Sequence, residues 1–285
     1  MIITRDKLFE DLSTFAKDEF KLPTLASLNE YTTAMLRYIG DPDAVLRDEL
    51  ISSTFYEWIG EKKYYTEVEL KTLLQLLLDE NHLFYGIGNE EDDKVFTRTF
   101  SLLIVGLILD AHKKCSFLSP EEFVETKNSV LKYYMQEKDL RGYMNDKGWA
   151  HGAAHGADAM DELIDSQECD EQIVQEILTA IRLMLHNGNT ILHFEEDERI
   201  ARPVYRMIRQ GKVNPIILKA WLKEVCDCIS GVGDMKLYKS RVNSKNFVRC
   251  LYFRLVHFQV NPEFLECILD AEKKLNRYVI FDRNI

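Results

Sequence analysis

Residues 170–184, DEQIVQEILTAIRLM, decide the fold class of this chain. Asp170 is a residue type that caps helix starts, because its carboxylate can accept a hydrogen bond from a backbone amide of the first turn. After it, apolar residues recur every three to four positions, which is the period of a helix with one buried face. That stripe consists of Ile173, Ile177, Ile181 and Met184. The segment therefore predicts a helix packed on a core.

The same signals recur along the chain, and signals for strands are nearly absent. Ser119-Pro120-Glu121-Glu122 has the sequence of a capping box with proline at the first helical position. Asn214-Pro215 and Asn261-Pro262 repeat the polar cap followed by proline. We therefore predict an all-α protein with about twelve helices. They span residues 5–19, 24–39, 43–59, 65–79, 93–113, 120–135, 148–165, 171–186, 194–210, 215–230, 240–258 and 262–276.

Long helices joined by short connections are typical of antiparallel helix pairs. Such pairs stack into an α-solenoid of the HEAT type or into an irregular helical array, and the absence of a clean sequence repeat leaves both arrangements open. No segment rich in proline, glycine and serine divides the chain. A single continuous domain over residues 1–285 is therefore expected.

Composition limits the classes of partner and compartment. The formal net charge of −11 argues against binding to nucleic acid or to an anionic membrane, both of which need a basic surface. The six cysteines are scattered and include no CxxC pair, as expected for reduced thiols in a cytoplasmic protein. The longest apolar run, Leu102–Leu109, is shorter than the ~20 residues of a membrane span. We expect it to form a helix buried on all sides.

The candidate functional segment is residues 148–158, GWAHGAAHGAD. On a helix, His151, His155 and Asp158 would occupy positions i, i+4 and i+7 of a single face. Two imidazoles and a carboxylate on one face could hold a divalent transition metal, the candidate cofactor. They could equally hold a polar or phosphorylated small molecule, or form a purely structural polar network.

Three glycines, Gly148, Gly152 and Gly156, recur at four-residue spacing in the same segment. Each glycine inside a helix costs roughly 0.5–1 kcal/mol relative to alanine, so a compensating reason is expected. Either a neighbouring helix packs unusually close to this face, or a ligand approaches the backbone there.

Charged residues elsewhere are candidates for the rim of this site. Asp139, Arg141 and Lys147 precede the segment, and His193, Glu195 and Glu198 lie at the start of a later helix, where an ordinary solvated helix start is the alternative. Arg98 adjoins the apolar run and is expected to be buried. A buried arginine needs a carboxylate or an anionic ligand beside it.

These residues fall into four motifs that carry a family resemblance. The motifs are Val95-Phe96-x-Arg98-x-Phe100-Ser101, Glu137-x-Asp139-Leu140-Arg141-Gly142-Tyr143, Lys147-Gly148-Trp149-x-His151-x3-His155-x2-Asp158 and Glu198-Arg199. Together they resemble a bacterial family catalogued as domain of unknown function 2785. The resemblance implies a helical bacterial protein without an established activity. It adds weight to eight positions: Arg98, Asp139, Arg141, Trp149, His151, His155, Asp158 and Arg199.

Two functions follow from the sequence. The first is a protein that binds a small molecule or a metal at His151, His155 and Asp158, including a metal-assisted hydrolase with a metal-bound water as nucleophile. The second is a non-enzymatic helical-repeat scaffold that presents a concave surface to a protein partner. No motif assigns a catalytic residue, so the sequence leaves open whether the protein is an enzyme.

Overall fold

In the computed structural model, which describes residues 2–229 and 234–282, helices begin where the sequence places its capping residues. The side chains of Asp170, Asn214 and Asn261 each accept a hydrogen bond from an amide of the first helical turn. Ser119 and Glu122 form the reciprocal capping box that their spacing predicts. The chain divides into two compact units, Met1–Glu162 and Leu163–Ile285.

The first unit contains helices from α1 to α6, a short hairpin and most of α7. α3 is a continuous helical run, Val45–Ser52, Ser53–Phe55 and Tyr56–Glu61, whose first and last segments have wider π-type turns. In the hairpin, β1 (Tyr143–Met144) pairs antiparallel with β2 (Gly148–Trp149), so that Tyr143 lies opposite Trp149. The other helices are α1 (Arg5–Lys17), α2 (Leu28–Arg37), α4 (Glu67–Leu77), α5 (Lys94–Cys115), α6 (Pro120–Gln136) and α7 (Gly152–Asp165).

The second unit is also helical in its described residues. Its longest helix, α11 (Met235–His257), packs against α9 and α12. A short 3-10 turn, Cys226–Ile229, follows α10. The remaining helices are α8 (Glu171–Leu185), α9 (Glu196–Arg209), α10 (Pro215–Val225), α12 (Pro262–Leu275) and α13 (Arg277–Asp282).

The all-α prediction is confirmed. About 70% of the residues are helical, and the only strands among the described residues are the two short ones of the hairpin. Each of the twelve predicted helices corresponds to an observed one, and α13 is an additional helix that we did not predict. The solenoid arrangement and the single continuous domain stay predictions.

α5 forms the centre of the first unit's core and packs against α3 and α4. Among the described residues it is the one helix with the length and hydropathy of a membrane span, but 72% of its apolar window is buried within the protein, as in a core helix. The expected burial on all sides is wrong. Leu103, Gly106 and Leu107 share one face of α5 and are only half-buried, whereas Ile104 and Ile108 are fully buried.

Candidate functional site

His151 lies immediately before α7 rather than within it. Its φ of 55° is in the left-handed region, and its carbonyl accepts hydrogen bonds from the amides of Ala154 and His155. Gly148, with φ of 73°, belongs to β2. The helix predicted over residues 148–165 is therefore wrong in its first turn, because two left-handed residues interrupt it. Only His155 and Asp158 of the predicted three share the helix, and Asp158 is half-buried there.

The two imidazoles nevertheless lie next to each other. The ring centroids of His151 and His155 are 6.1 Å apart. The ring of His151 stacks on the indole of Trp149, with centroids 4.4 Å apart and an interplanar angle of 20°. Trp149 in turn meets Tyr143, its partner across the hairpin, edge to face at 5.0 Å. The turn at His151 thus produces a row of rings on the hairpin side of α7.

His155 is held from the α5 side. Its Nδ1 donates to the carbonyl of Thr99 at 3.2 Å, and its ring meets the ring of Phe100 edge to face at 5.5 Å. The side chain is 9% exposed. The imidazole of His155 is therefore nearly buried and held in one orientation. This arrangement is compatible with a ligand site and with a structural polar network.

Asp48 brings a carboxylate to this region from α3. Ala44, one turn earlier, lies so close to β2 that a Cβ on Gly148 would be 2.7 Å from the Ala44 Cβ. Burial raises the pKa of the half-buried Asp48 carboxyl, and the charges of Arg47 and His151 oppose that rise. Among the described residues, no group donates a hydrogen bond to it. We refer to Asp48, Trp149, His151 and His155 as the histidine cluster.

Arg47 joins α3 to the hairpin. It is fully buried, and its guanidinium donates to the carbonyls of Asp41, at 2.6 Å, and Lys147. The guanidinium also lies over the rings of Phe96 and Phe100, 3.9 and 4.8 Å from the centroids. Burial lowers the pKa of Arg47 to about 10. Neither Arg47 nor Asp48 is among the residues predicted from the sequence.

A signal for Arg47 was present in the sequence. Leu50, Ile51 and Thr54 follow it at i+3, i+4 and i+7, the spacing of a buried helix face. All three are buried. A charged residue on such a stripe indicates a buried ion.

Asp139 and Arg141 support the turn at His151. The guanidinium of Arg141 donates to both oxygens of the buried Asp139, at 2.8 and 2.6 Å, and this bond raises the pKa of Arg141. The backbone carbonyl of Arg141 accepts a hydrogen bond from the amide of His151 at 3.0 Å. Lys147, the third predicted rim residue, forms an ion pair with Asp93 at the surface. These side chains tie together the loops that hold the hairpin.

Arg98 pairs with a carboxylate, as predicted. Its Nε and Nη2 donate to the two oxygens of Glu137 at 2.7 and 2.8 Å, and both side chains are fully buried. Burial by itself lowers the pKa of Arg98, but the bonds to Glu137 outweigh it and the pKa is raised. Nη1 donates to the carbonyl of Tyr85 at 2.9 Å. Arg98 is thus occupied within the core.

The glycines of α7 are explained by close helix packing. A Cβ on Gly152 would lie 2.8 Å from the hydroxyl oxygen of Tyr133, and a Cβ on Gly156 would lie 2.3 Å from a ring carbon of Tyr134. Both tyrosines are on α6. Of the two explanations offered by the sequence, the neighbouring helix accounts for these two positions.

The remaining candidates lie in the second unit. Arg254 donates to the carboxylate of Glu198 at 2.7 Å, and Arg199 is half-buried on α9. The exposed His193 donates through Nδ1 to the carbonyl of Ile191 at 2.7 Å. Their predicted participation in one site with His151 and His155 stays a prediction.

The metal prediction gains no support from the side-chain positions. Within residues 2–229 and 234–282, no group of three or more histidine, cysteine, aspartate or glutamate side chains could hold a metal ion. A site with three protein ligands is the usual minimum for a catalytic zinc.

Comparison with known proteins identifies a family and no characterised relative. The family model described as "Protein of unknown function (DUF2785)" matches residues 83–253, more than half of the 285 residues. The matched segment includes every candidate residue predicted from the sequence, whereas Arg47 and Asp48 precede it. No curated protein and no solved structure matches the chain significantly. The chain belongs to this family of proteins of unknown function.

Proposed function

We propose that the histidine cluster binds a small polar organic ligand. The observation that carries the proposal is the half-buried carboxylate of Asp48, which receives no hydrogen bond from the described residues. Its oxygens are not among the fully buried polar atoms that lack a partner, so they are accessible to water or to a ligand, while partial burial disfavours the charged carboxylate. An N–H or O–H group of a ligand would supply the missing donor.

The backbone at His151 supports a functional role. His151 is one of eight described non-glycine residues with positive φ, and holding a residue in this sparsely populated region costs on the order of 1–3 kcal/mol. His151 is kept there by the hydrogen bond from its amide to Arg141 and by the stack of its ring on Trp149. The surrounding structure therefore maintains a ring orientation that a regular helix would not provide.

The rings define the second feature of the ligand. Tyr143 is 46% exposed and Trp149 is half-buried, so the row of rings reaches the surface. Aromatic faces favour a planar or cationic group placed against them. The expected ligand is thus a small molecule in which an amine or hydroxyl group lies beside a planar group.

The same residues could carry acid–base chemistry on such a ligand. A carboxylate and an imidazole side by side are a common pair for moving a proton at neutral pH. Asp48 and His151 would then be the groups that exchange the proton. Metal-assisted hydrolysis has weaker support, because the described residues contain no group of three metal ligands.

A thermal-shift screen with amino acids, biogenic amines and nucleosides tests the proposal. A ligand that binds only the folded state raises Tm by mass action. We expect at least one compound to raise the Tm of the wild type, and Asp48→Asn and Trp149→Ala to abolish that shift. Asp146→Asn is the matched control, because Asp146 is exposed in the same hairpin.

The proposal fails if no compound produces a shift that depends on both Asp48 and Trp149, although the variants are folded. A scaffold that binds a protein partner would then be the better explanation. Titration of Zn²⁺ and Mn²⁺ into untagged protein, with His155→Ala as comparison, tests the metal prediction separately. A polyhistidine tag must be absent because it would bind these ions itself.

A further inference from the structure

A small apolar pocket lies between α3, α4 and α5, apart from the histidine cluster. Its volume is about 110 Å³. Ile59, Tyr65, Leu70 and Phe117, all at most 8% exposed, form most of its wall. The hydroxyl of Tyr65 is engaged with the hydroxyl of Thr32 at 2.7 Å, so Tyr65 presents its ring to the pocket.

Gly60 is the feature that points to an occupant. It lines the pocket within the helical run of α3, and a Cβ placed on it would meet nothing within 4 Å. Its φ is not in the left-handed region. A glycine inside a helix costs roughly 0.5–1 kcal/mol relative to alanine. Neither backbone conformation nor close packing requires glycine here, in contrast to Gly152 and Gly156, and the missing side chain leaves open space at this part of the pocket wall.

The charges at the pocket mouth indicate an uncharged ligand. Lys63, Lys114 and Glu67 line the opening, and Lys114 is paired with Asp110 at 2.6 Å. These two positive and two negative side chains balance, so the mouth offers no net attraction to an ionic group. An engineered apolar cavity of about 150 Å³ accepts benzene, so this smaller one suits a group of about four to six carbon atoms.

We propose that this pocket is a binding site for a small uncharged apolar molecule. Binding would remove apolar wall and ligand surface from water, at roughly 25 cal/mol per Å². The site is independent of the proposed function of the histidine cluster, because the two share no residue.

Cys115 provides a reporter at the same pocket. It lines the pocket and is the only exposed cysteine of the six. 1-Fluoropentane is a suitable probe, since its five carbon atoms match the pocket and its ¹⁹F signal broadens on binding. We expect the wild type to broaden this signal, and 1-fluoropentane to slow the labelling of Cys115 by a thiol reagent at least about twofold, as at half-saturation. Peptide mapping assigns the labelled cysteine.

The test variants add a side chain to the pocket wall at Gly60. Gly60→Leu should abolish both effects, and Gly60→Ala should weaken them. Gly106→Ala is the matched control, because a Cβ there has room, 3.9 Å from the nearest atom, and faces α7 instead. Equal broadening in Gly60→Leu and the wild type would overturn the proposal. Unchanged Cys115 labelling in the presence of 1-fluoropentane would overturn it as well. If Gly60→Leu does not fold, Gly60→Ala decides by the same two measurements.

Discussion

Arg98 and Arg47 are both fully buried in the first unit, and they are stabilised in different ways. Arg98 forms two hydrogen bonds to the carboxylate of Glu137, and its pKa is raised. Arg47 has no carboxylate among its hydrogen-bond partners; it donates to backbone carbonyls and lies over two phenylalanine rings. Its pKa is lowered to about 10 by burial.

The difference shows that the two arginines have different roles: Arg98 stabilises the core, and Arg47 connects two segments of the chain. The Arg98 pair replaces water around two full charges, so either side chain alone would be a buried ion without compensation. The partners of Arg47 are neutral groups, and one of them, the carbonyl of Lys147, lies in the hairpin that carries Trp149. Arg47 therefore fixes the position of the hairpin relative to α3, and its loss should disturb the cluster more than the core.

The largest effect is expected from Arg98→Met. The substitution leaves the Glu137 carboxylate buried without its cation, which should lower the free energy of unfolding by about 3–5 kcal/mol. Urea denaturation measures this loss. The double variant Arg98→Met/Glu137→Leu should recover most of it, because both charges are then removed. If the double variant loses as much free energy of unfolding as the two single variants together, the buried charges are not the cause of the loss.

A smaller loss is expected from Arg47→Met. The carbonyls of Asp41 and Lys147 lose their donor, at about 1–3 kcal/mol in total, while methionine keeps an apolar contact with Phe96 and Phe100. Arg47→Lys should not restore stability, because an ammonium group lacks the planar fork that reaches both carbonyls. The comparison with Arg98 breaks down if urea denaturation gives Arg47→Met the larger loss.

Gly148→Ala tests the contact between α3 and the hairpin. Gly148 and Gly211 have nearly the same φ, 73° and 70°, so alanine at either position loses about 1–2 kcal/mol from the left-handed backbone. Only at Gly148 would the new Cβ collide, with Ala44 at 2.7 Å, whereas nothing lies within 4 Å at Gly211. We expect Gly148→Ala to lower Tm more than Gly211→Ala. Equal losses of Tm would show that α3 moves away from the new Cβ without a loss of stability.

The smallest effect is the pH dependence of Asp48→Asn. The folded state raises the pKa of Asp48, so it favours the protonated carboxyl. The stabilisation from this group is present below the unfolded pKa of about 3.9 and is lost as the pH rises through the folded pKa. Asp48→Asn should therefore raise Tm slightly at pH 7, and the gain should vanish near pH 4. A lower Tm for the variant at pH 7 would show that the carboxylate already has a stabilising partner.

The histidine cluster could be predicted only in part. The spacing of His151 and His155 correctly indicated two neighbouring imidazoles, but through the wrong geometry. The left-handed backbone at Gly148 and His151 breaks the helix, and a four-residue spacing across a turn also brings the rings together. Asp48 was not predictable from its surroundings in sequence, because it lies 103 residues before His151 and reaches the cluster only through the packing of α3 on β2.

What the sequence determined by itself was local: the helices, their caps and the burial of Arg98. Capping and apolar periodicity act within a few residues, so Ser119, Asp170 and the stripe from Ile173 to Met184 carry their structural information in the chain itself. Tertiary structure decided which segments meet. Three features depend on contacts between residues far apart in the chain: the hydrogen-bond partners of Arg47, the position of Asp48 and the open space beside Gly60. Local sequence does not specify these contacts, because they arise only when the helices pack together.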